Sequence, residues 1–267
     1  MALTGPPLLS LYQSRTAKII PFAPEKPIVL IDWDGCLANS MPRIFARLQL
    51  VANELKRKYG DAFNVPPERL QKRWTSEFNA HLQDLFGTFW EEAADLYLGK
   101  YFNHPSLPPK TAFIGAREFL ESLLDAKIPF AIVSNGDKKY IDEFIHIFGW
   151  EKILRDVPVI SSDNIKPRHK PHPFHFKQAL LQLGIENPHR HKIIIIGDGV
   201  DSDMLGALRL ADEENYKIHA IWISHDKPVA CSLTSVNNFG EVAANVEKLT
   251  GRDFSAYKPS PPLRACL

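Results

Sequence analysis

The sequence predicts an α/β fold: a Rossmann-like open parallel sheet flanked by helices, with an all-helical module inserted after the first strand. Three observations carry that prediction. Four short runs rich in β-branched residues, Ile28 to Ile31, Phe130 to Val133, Ile193 to Ile196 and Ile218 to Ile223, lack clean polar alternation, as strands covered on both faces do. Apolar residues at helical spacing fill the intervals between them, several ending on glycine. The stretch from Met41 to Tyr101 carries helical periodicity and no convincing strand, far more chain than the dozen or so residues that a parallel crossover needs.

Taken in order, residues 1–27, with Pro6, Pro7, Pro21, Pro24 and Pro27, read as an extended arm. Residues 28–40 and 105–250 make the α/β core, 41–104 a helical cap, and 251–267 a tail broken by Pro259, Pro261 and Pro262. In the cap, Ile44, Leu48, Val51 and Leu55 share a face that ends at Gly60, with Ser40 as N-cap and Pro42 in the first turn. Leu70, Trp74, Phe78, Leu82 and Leu85 continue the rhythm, and Phe89 to Tyr101 is a third helical piece. In the core, the spacing predicts helices over Ala112 to Leu124, Lys138 to Phe148 (before Gly149) and Phe176 to Leu183 (before Gly184), where glycine allows a left-handed cap. A further helix, MLGALRLA, follows Asp203.

Composition narrows the function classes. The 267 residues suffice for a sizeable core without staples. A formal charge of +1 argues against a general nucleic-acid binder. No apolar run reaches the length of a membrane span, and the N-terminus lacks a signal-peptide pattern. Cys36, Cys231 and Cys266 have no CxxC spacing, which fits a reducing, cytoplasmic setting. Monomer and homodimer both stand.

In open α/β sheets the binding crevice lies beyond the carboxyl ends of the strands. The first run is followed by Asp32, Trp33, Asp34, Gly35; the second by Ser134, Asn135, Gly136; the third by Gly197, Asp198, then Asp201 and Asp203. Between them lies RHKPHP, with Lys170. Carboxylates converging on one sheet edge repel one another unless a cation sits among them, and a hard ion such as Mg²⁺ shared with a substrate phosphate suits them. A carboxylate can attack phosphorus to form an aspartyl-phosphate. A second carboxyl can protonate the leaving oxygen and later deprotonate water. Lys170, Ser134 and the backbone N–H groups from Asp34 to Cys36 can meet phosphoryl oxygens. The chemistry alone leaves open which of Asp32 and Asp34 attacks.

Four fragments in order, DWDGCL at 32–37, SN at 134–135, KPHP at 170–173 and GDGVDSD at 197–203, resemble the motifs of the haloacid dehalogenase-like (HAD) superfamily of phosphatases and mutases. The likeness spans residue 28 to about 225. LANSMP at 37–42 is similar to the helical-cap subgroup that includes phosphoglycolate phosphatase and β-phosphoglucomutase, with Cys36 in place of the usual Thr and Asn39 in place of the usual Asp. The resemblance implies Asp32 as nucleophile and Asp34 as general acid/base. It implies that Ser134, Asn135, Lys170, Gly35 and Cys36 serve the substrate phosphate. It further implies Mg²⁺ held by Asp32, Asp198 and the Asp34 carbonyl, with Asp203 in support and Asp201 a weaker candidate. The expected partner is a small phosphorylated metabolite, hydrolysed through an aspartyl-phosphate. A phosphomutase of the β-phosphoglucomutase type and a HAD-shaped interaction module of little turnover are the alternatives. Lys166 is the rival to Lys170, Trp33 is expected in the core, and His169, His172 and His175 are not expected to hold a metal.

Overall fold

The computed structural model describes residues 26–71, 78–164, 168–225, 234–254 and 257–258. Residues 1–25 of the expected arm, those from 259 in the tail, Trp74, Lys166 and Cys231 lie outside the described residues. The core is a six-stranded, all-parallel sheet: β1 (Lys26–Ile31), β2 (Phe130–Val133), β3 (Val159–Ile160), β4 (His191–Gly197), β5 (Ile218–Ile223) and β6 (Thr234–Val236), in the order β3-β2-β1-β4-β5-β6. The chain runs outward from β1 to β2 and β3, then crosses back to β4 on the other side. That reversal sets the carboxyl ends of β2, β1 and β4 next to one another, the place where such sheets bind ligands.

Strand alternation explains the apolar runs. Val29, Ile31, Ile132, Ile194 and Ile196 face one side, packed by α5 (Ala116–Asp125), α6 (Lys138–Phe148) and α9 (Phe239–Thr250) through Phe119, Phe144 and Phe239. Ile28, Leu30, Val133, Ile193 and Ile195 face the other, under Phe176 and Leu180 of α7 (Phe174–Gln182) and Leu210 of α8 (Leu205–Glu214). Both faces are dry, so neither register position tolerates polarity. The inserted cap is all helical among the described residues: α1 (Met41–Tyr59), α2 (Pro67–Leu70), α3 (Phe78–Phe86) and α4 (Trp90–Leu98). They enclose a separate core that includes Leu48, Val51, Leu55, Leu82, Phe86 and Tyr97.

Several local expectations are corrected. The helix expected from Ala112 begins at Ala116, because Ala112 bridges to Ala38, the Phe113 N–H donates to the Leu37 carbonyl, and Gly115 turns the chain at φ 84°. Leu124, expected on its buried side, is exposed. The third cap helix is shorter than expected, running from Trp90 to Leu98 after a 3₁₀ turn at Gly87–Phe89. Ser40 precedes α1 without capping it, since its backbone is already helical (φ −87°, ψ −22°). The two edge strands β3 and β6 escaped the sequence reading, being only two and three residues long. Trp33 is core, as expected, buried against Phe144, Phe148 and Trp150. Among the described residues no helix is long and apolar enough to cross a membrane.

Phe119 is fully buried, its ring 5.5 Å from that of Phe239 and 6.2 Å from that of Phe254, past the end of α9. Phe119→Ala should lower stability by about 3–5 kcal/mol, read by urea denaturation; a loss below about 1 kcal/mol would contradict this packing.

Candidate active site

Asp32 directly follows β1, and its N–H continues the ladder to the Ile196 carbonyl of β4 at 2.9 Å. Ser134 follows β2 in the same way, its N–H bound to the Ile160 carbonyl at 2.9 Å. Asp198 follows β4, and Asp203 sits in a single π-helical turn, Val200–Met204, that leads into α8. These positions converge. One carboxylate oxygen from each of Asp32, Asp198 and Asp203 lies within 4.8 Å of the others. Asp201, by contrast, is exposed and outside this group.

Lys170 joins the cluster from a loop before α7, and its side chain is 2% exposed. Its ammonium donates to Asp32 Oδ1 at 2.6 Å, to Asp203 Oδ1 at 2.6 Å and to the Val133 carbonyl at 2.8 Å. Those three bonds use all three ammonium protons. Asn135 fixes the Lys170 backbone from both sides: Asn135 Nδ2 donates to the Lys170 carbonyl at 3.1 Å, and the Lys170 N–H donates to Asn135 Oδ1 at 2.9 Å. The Asn135 side chain thus positions the lysine backbone beside Ser134. Asp203 is held by its other oxygen, which accepts from the Gly199 N–H at 2.9 Å and the Ser202 hydroxyl at 3.1 Å.

Charge balance is the main electrostatic fact. Burial, and then the Asp203 carboxylate, push the Asp32 carboxyl well above the usual carboxylate range, with Lys170 acting against them. Burial works against the Lys170 charge, but Asp203 and Asp32 outweigh it and hold the ammonium above its ordinary value. Three carboxylates facing one ammonium leave excess negative charge in a buried site, and an all-oxygen donor set of this kind fits a divalent cation. Burial also raises Asp34, opposed by Ser40, Lys170 and Ser134. Asp34 Oδ2 lies 3.4 Å from the Ser134 hydroxyl, while its buried Oδ1 has no hydrogen-bond partner among the described residues.

The turn after β1 is closed by its own backbone. Its Gly35 N–H donates to the Ala38 carbonyl at 2.9 Å and its Cys36 N–H to the Trp33 carbonyl at 3.4 Å. The amides of Gly35 and Cys36 thus bond to carbonyls of the same loop. Those of Trp33 and Asp34 bond to no other part of the described chain. The Cys36 thiol is buried, and burial followed by the nearby carboxylates pushes its pKa well up. His175 is buried too, and burial followed by the Lys170 charge brings its pKa down to about 3, so it stays neutral. Among the described residues the three histidines near Lys170 form no metal group.

Asp32, Asp34, Ser134, Lys170 and Asp198 line one cleft of about 330 Å³ that opens between core and cap. Its cap side includes Arg47, Tyr97 and Phe102, and Tyr140 of α6 lines it as well. Arg47 was not singled out in the sequence, where an arginine on a helix of mixed polarity reads as a solvent-facing charge.

A family model described as haloacid dehalogenase-like hydrolase matches residues 27–210. No curated protein matches. Solved structures do. A HAD-superfamily hydrolase from Ehrlichia chaffeensis is 23% identical over 85% of this chain and 99% of its own, with a TM-score of 0.52. A HAD family hydrolase from Deinococcus radiodurans R1, with bound phosphate and sodium, is 21% identical over 89% and 100%, with a TM-score of 0.59. A predicted phosphoglycolate phosphatase from Haemophilus somnus 129PT is 16% identical over 83% and 98%, with a TM-score of 0.62. At these identities the likeness is one of fold.

Gly35 has φ +76°, and a Cβ there would stand 2.0 Å from Asp198 Oδ2. Gly35→Ala should displace the Asp198 carboxylate and weaken divalent-cation binding by at least about tenfold, measured by calorimetric titration. Unchanged affinity would separate Asp198 from the cation site.

Proposed function

The chain belongs to the haloacid dehalogenase-like hydrolases, and from that premise we propose that it is a Mg²⁺-dependent phosphomonoester hydrolase. Its substrate is a small phosphorylated molecule, and an aspartyl-phosphate on Asp32 is the intermediate. The observation that carries this reading is the meeting of the Asp32, Asp198 and Asp203 carboxylates around the Lys170 ammonium at the mouth of the sheet.

Asp32 and Asp198, with the Asp34 carbonyl, are the groups that would hold the cation. Asp203, already bonded to Lys170, Gly199 and Ser202, supports them from behind. A cation there supplies positive charge for the oxygens of the transferring phosphoryl group. In the first half-reaction the Asp32 carboxylate attacks phosphorus, the bond from phosphorus to the leaving oxygen breaks, and Asp34 gives that oxygen its proton. In the second, Asp34 takes a proton from water, the water oxygen attacks phosphorus, and the acyl-phosphate bond breaks to regenerate Asp32 and release phosphate. The raised pKa of buried Asp34 supports its part as an acid able to hold a proton before the first step. Lys170 keeps the Asp32 carboxylate in place and offsets substrate charge. The Ser134 hydroxyl and the uncommitted amides of Trp33 and Asp34 are the donors nearest to hand for phosphoryl oxygens.

Phosphate release from a panel of small phosphomonoesters with Mg²⁺ tests the reading. Wild type should release phosphate, Asp32→Asn should fall to the blank, and Asp34→Asn should lose about 10²- to 10⁴-fold. Release by Asp32→Asn at the wild-type rate overturns the assignment. Isomer formation without phosphate release would mark a mutase instead.

Stability offers a second check. Because Asp32 keeps its proton to higher pH folded than unfolded, this carboxyl removes stability as pH rises past its ordinary 3.8. A divalent cation favours the ionised form and reverses that loss. The gain in Tm from Mg²⁺ should therefore be larger at about pH 8 than at about pH 5, and an equal gain at both would speak against cation binding at this cluster.

A further inference from the structure

We infer that the cap end of the cleft is an anion clamp, in which Arg47 selects phosphomonoesters whose leaving alcohol carries a second negative group, a carboxylate or another phosphate. The inference rests on the phosphatase reading of the same site and adds its substrate class.

Arg47 projects from α1, is 2% exposed and lines the cleft. Its guanidinium lies 4.5 Å from the centre of the Tyr97 ring and 4.8 Å from that of Phe102, and Nη2 donates to the Phe102 carbonyl at 2.8 Å. Its Nε is buried and has no partner among the described residues. Among the described residues no carboxylate pairs with it. A charge of the same sign acts on it: Arg43, also buried, donates to the Pro108 carbonyl at 2.8 Å and to Asn103 Oδ1 at 3.2 Å. Burial, and then the Arg47 charge, hold Arg43 below its ordinary pKa.

Removing a guanidinium from water beside a second one is costly, and two aromatic faces offset only part of that cost. What they do provide is a fixed orientation. A planar fork set against two rings, with a donor unmet among the described residues, suits two-point recognition of a carboxylate or phosphate. The Tyr140 hydroxyl, buried, without a partner among the described residues and on a residue that lines the same cleft, supplies another donor. Arg47, Tyr97 and Tyr140 line the same cleft as Asp34, the proposed general acid. The cleft therefore has a phosphoryl end at the sheet and a second cationic end at the cap.

Three probes of equal chain length separate the possibilities: propyl phosphate, 3-(phosphonooxy)propanoate and propane-1,3-diyl bisphosphate. Wild type should hydrolyse at least one of the two doubly charged probes with kcat/KM about tenfold or more above propyl phosphate, and whichever is preferred identifies the distal anion. Arg47→Met should bring that ratio to about one, and Arg47→Lys, which keeps the charge but loses the fork, should leave it between. Equal kcat/KM for all three probes in wild type, or a ratio that survives Arg47→Met, overturns the clamp. Should Arg47→Met fail to fold by circular dichroism, an unchanged ratio in Arg47→Lys overturns it equally. Calorimetric binding of the three probes to wild type and Asp32→Asn gives the same ordering if the clamp exists. If no probe is hydrolysed the phosphatase reading falls, and that ordering still decides the clamp.

Discussion

A lysine ammonium withdrawn from water must be matched by acceptors, and in this chain the match is complete. Lys170 gives its three protons to Asp32, Asp203 and the carbonyl that ends β2. That single group ties together three parts of the chain that share no local sequence: the turn after β1, the end of β2 and the π-helical turn before α8. It also leaves the charge uneven. Burial and neighbouring carboxylates raise Asp32 despite the lysine, so the cluster has more negative charge than its own residues can balance. A divalent cation and an anionic substrate are the two additions that make such a site consistent.

The sheet supplies the precision. Because β1 lies between β2 and β4 in exact register, the residues that follow these strands emerge side by side. Glycine then permits the close approaches. The Asp198 carboxylate occupies the space a side chain at Gly35 would fill, and the Asp203 carboxylate does the same at Gly197, where a Cβ would meet its Cγ at 2.4 Å. The cap works differently. It has its own apolar core, and what it turns toward the cleft is aromatic rings and arginine rather than acids. On the proposed reading, chemistry and selection lie on separate packing units.

The parts of this arrangement readable from sequence are those under strict chemical or packing demands. β1, β2, β4 and β5 were legible because a strand buried on both faces needs an apolar run. Asp32, Asp34, Lys170, Asp198 and Asp203 stood out because acids rarely gather at successive strand ends without cause. β3 and β6 carry too few residues to show a period. The bonds that tie Asn135 to Lys170 join distant segments, and those of the Gly35 and Cys36 amides depend on the exact path of one turn; residue type encodes neither. Arg47 was hidden for a related reason: only the packing of Tyr97 and Phe102 around it distinguishes it from the exposed Arg57 on the same helix.

Covalent capture on one named carboxylate is the centre of the account. Acid quench of the enzyme during turnover, followed by peptide mapping by mass spectrometry, reads it directly. The account predicts the added mass of one phosphoryl group on the peptide containing Asp32, located to that residue and absent from Asp32→Asn. A phosphoryl group on any other side chain, or steady phosphate release with no labelled peptide at any quench time, would contradict it.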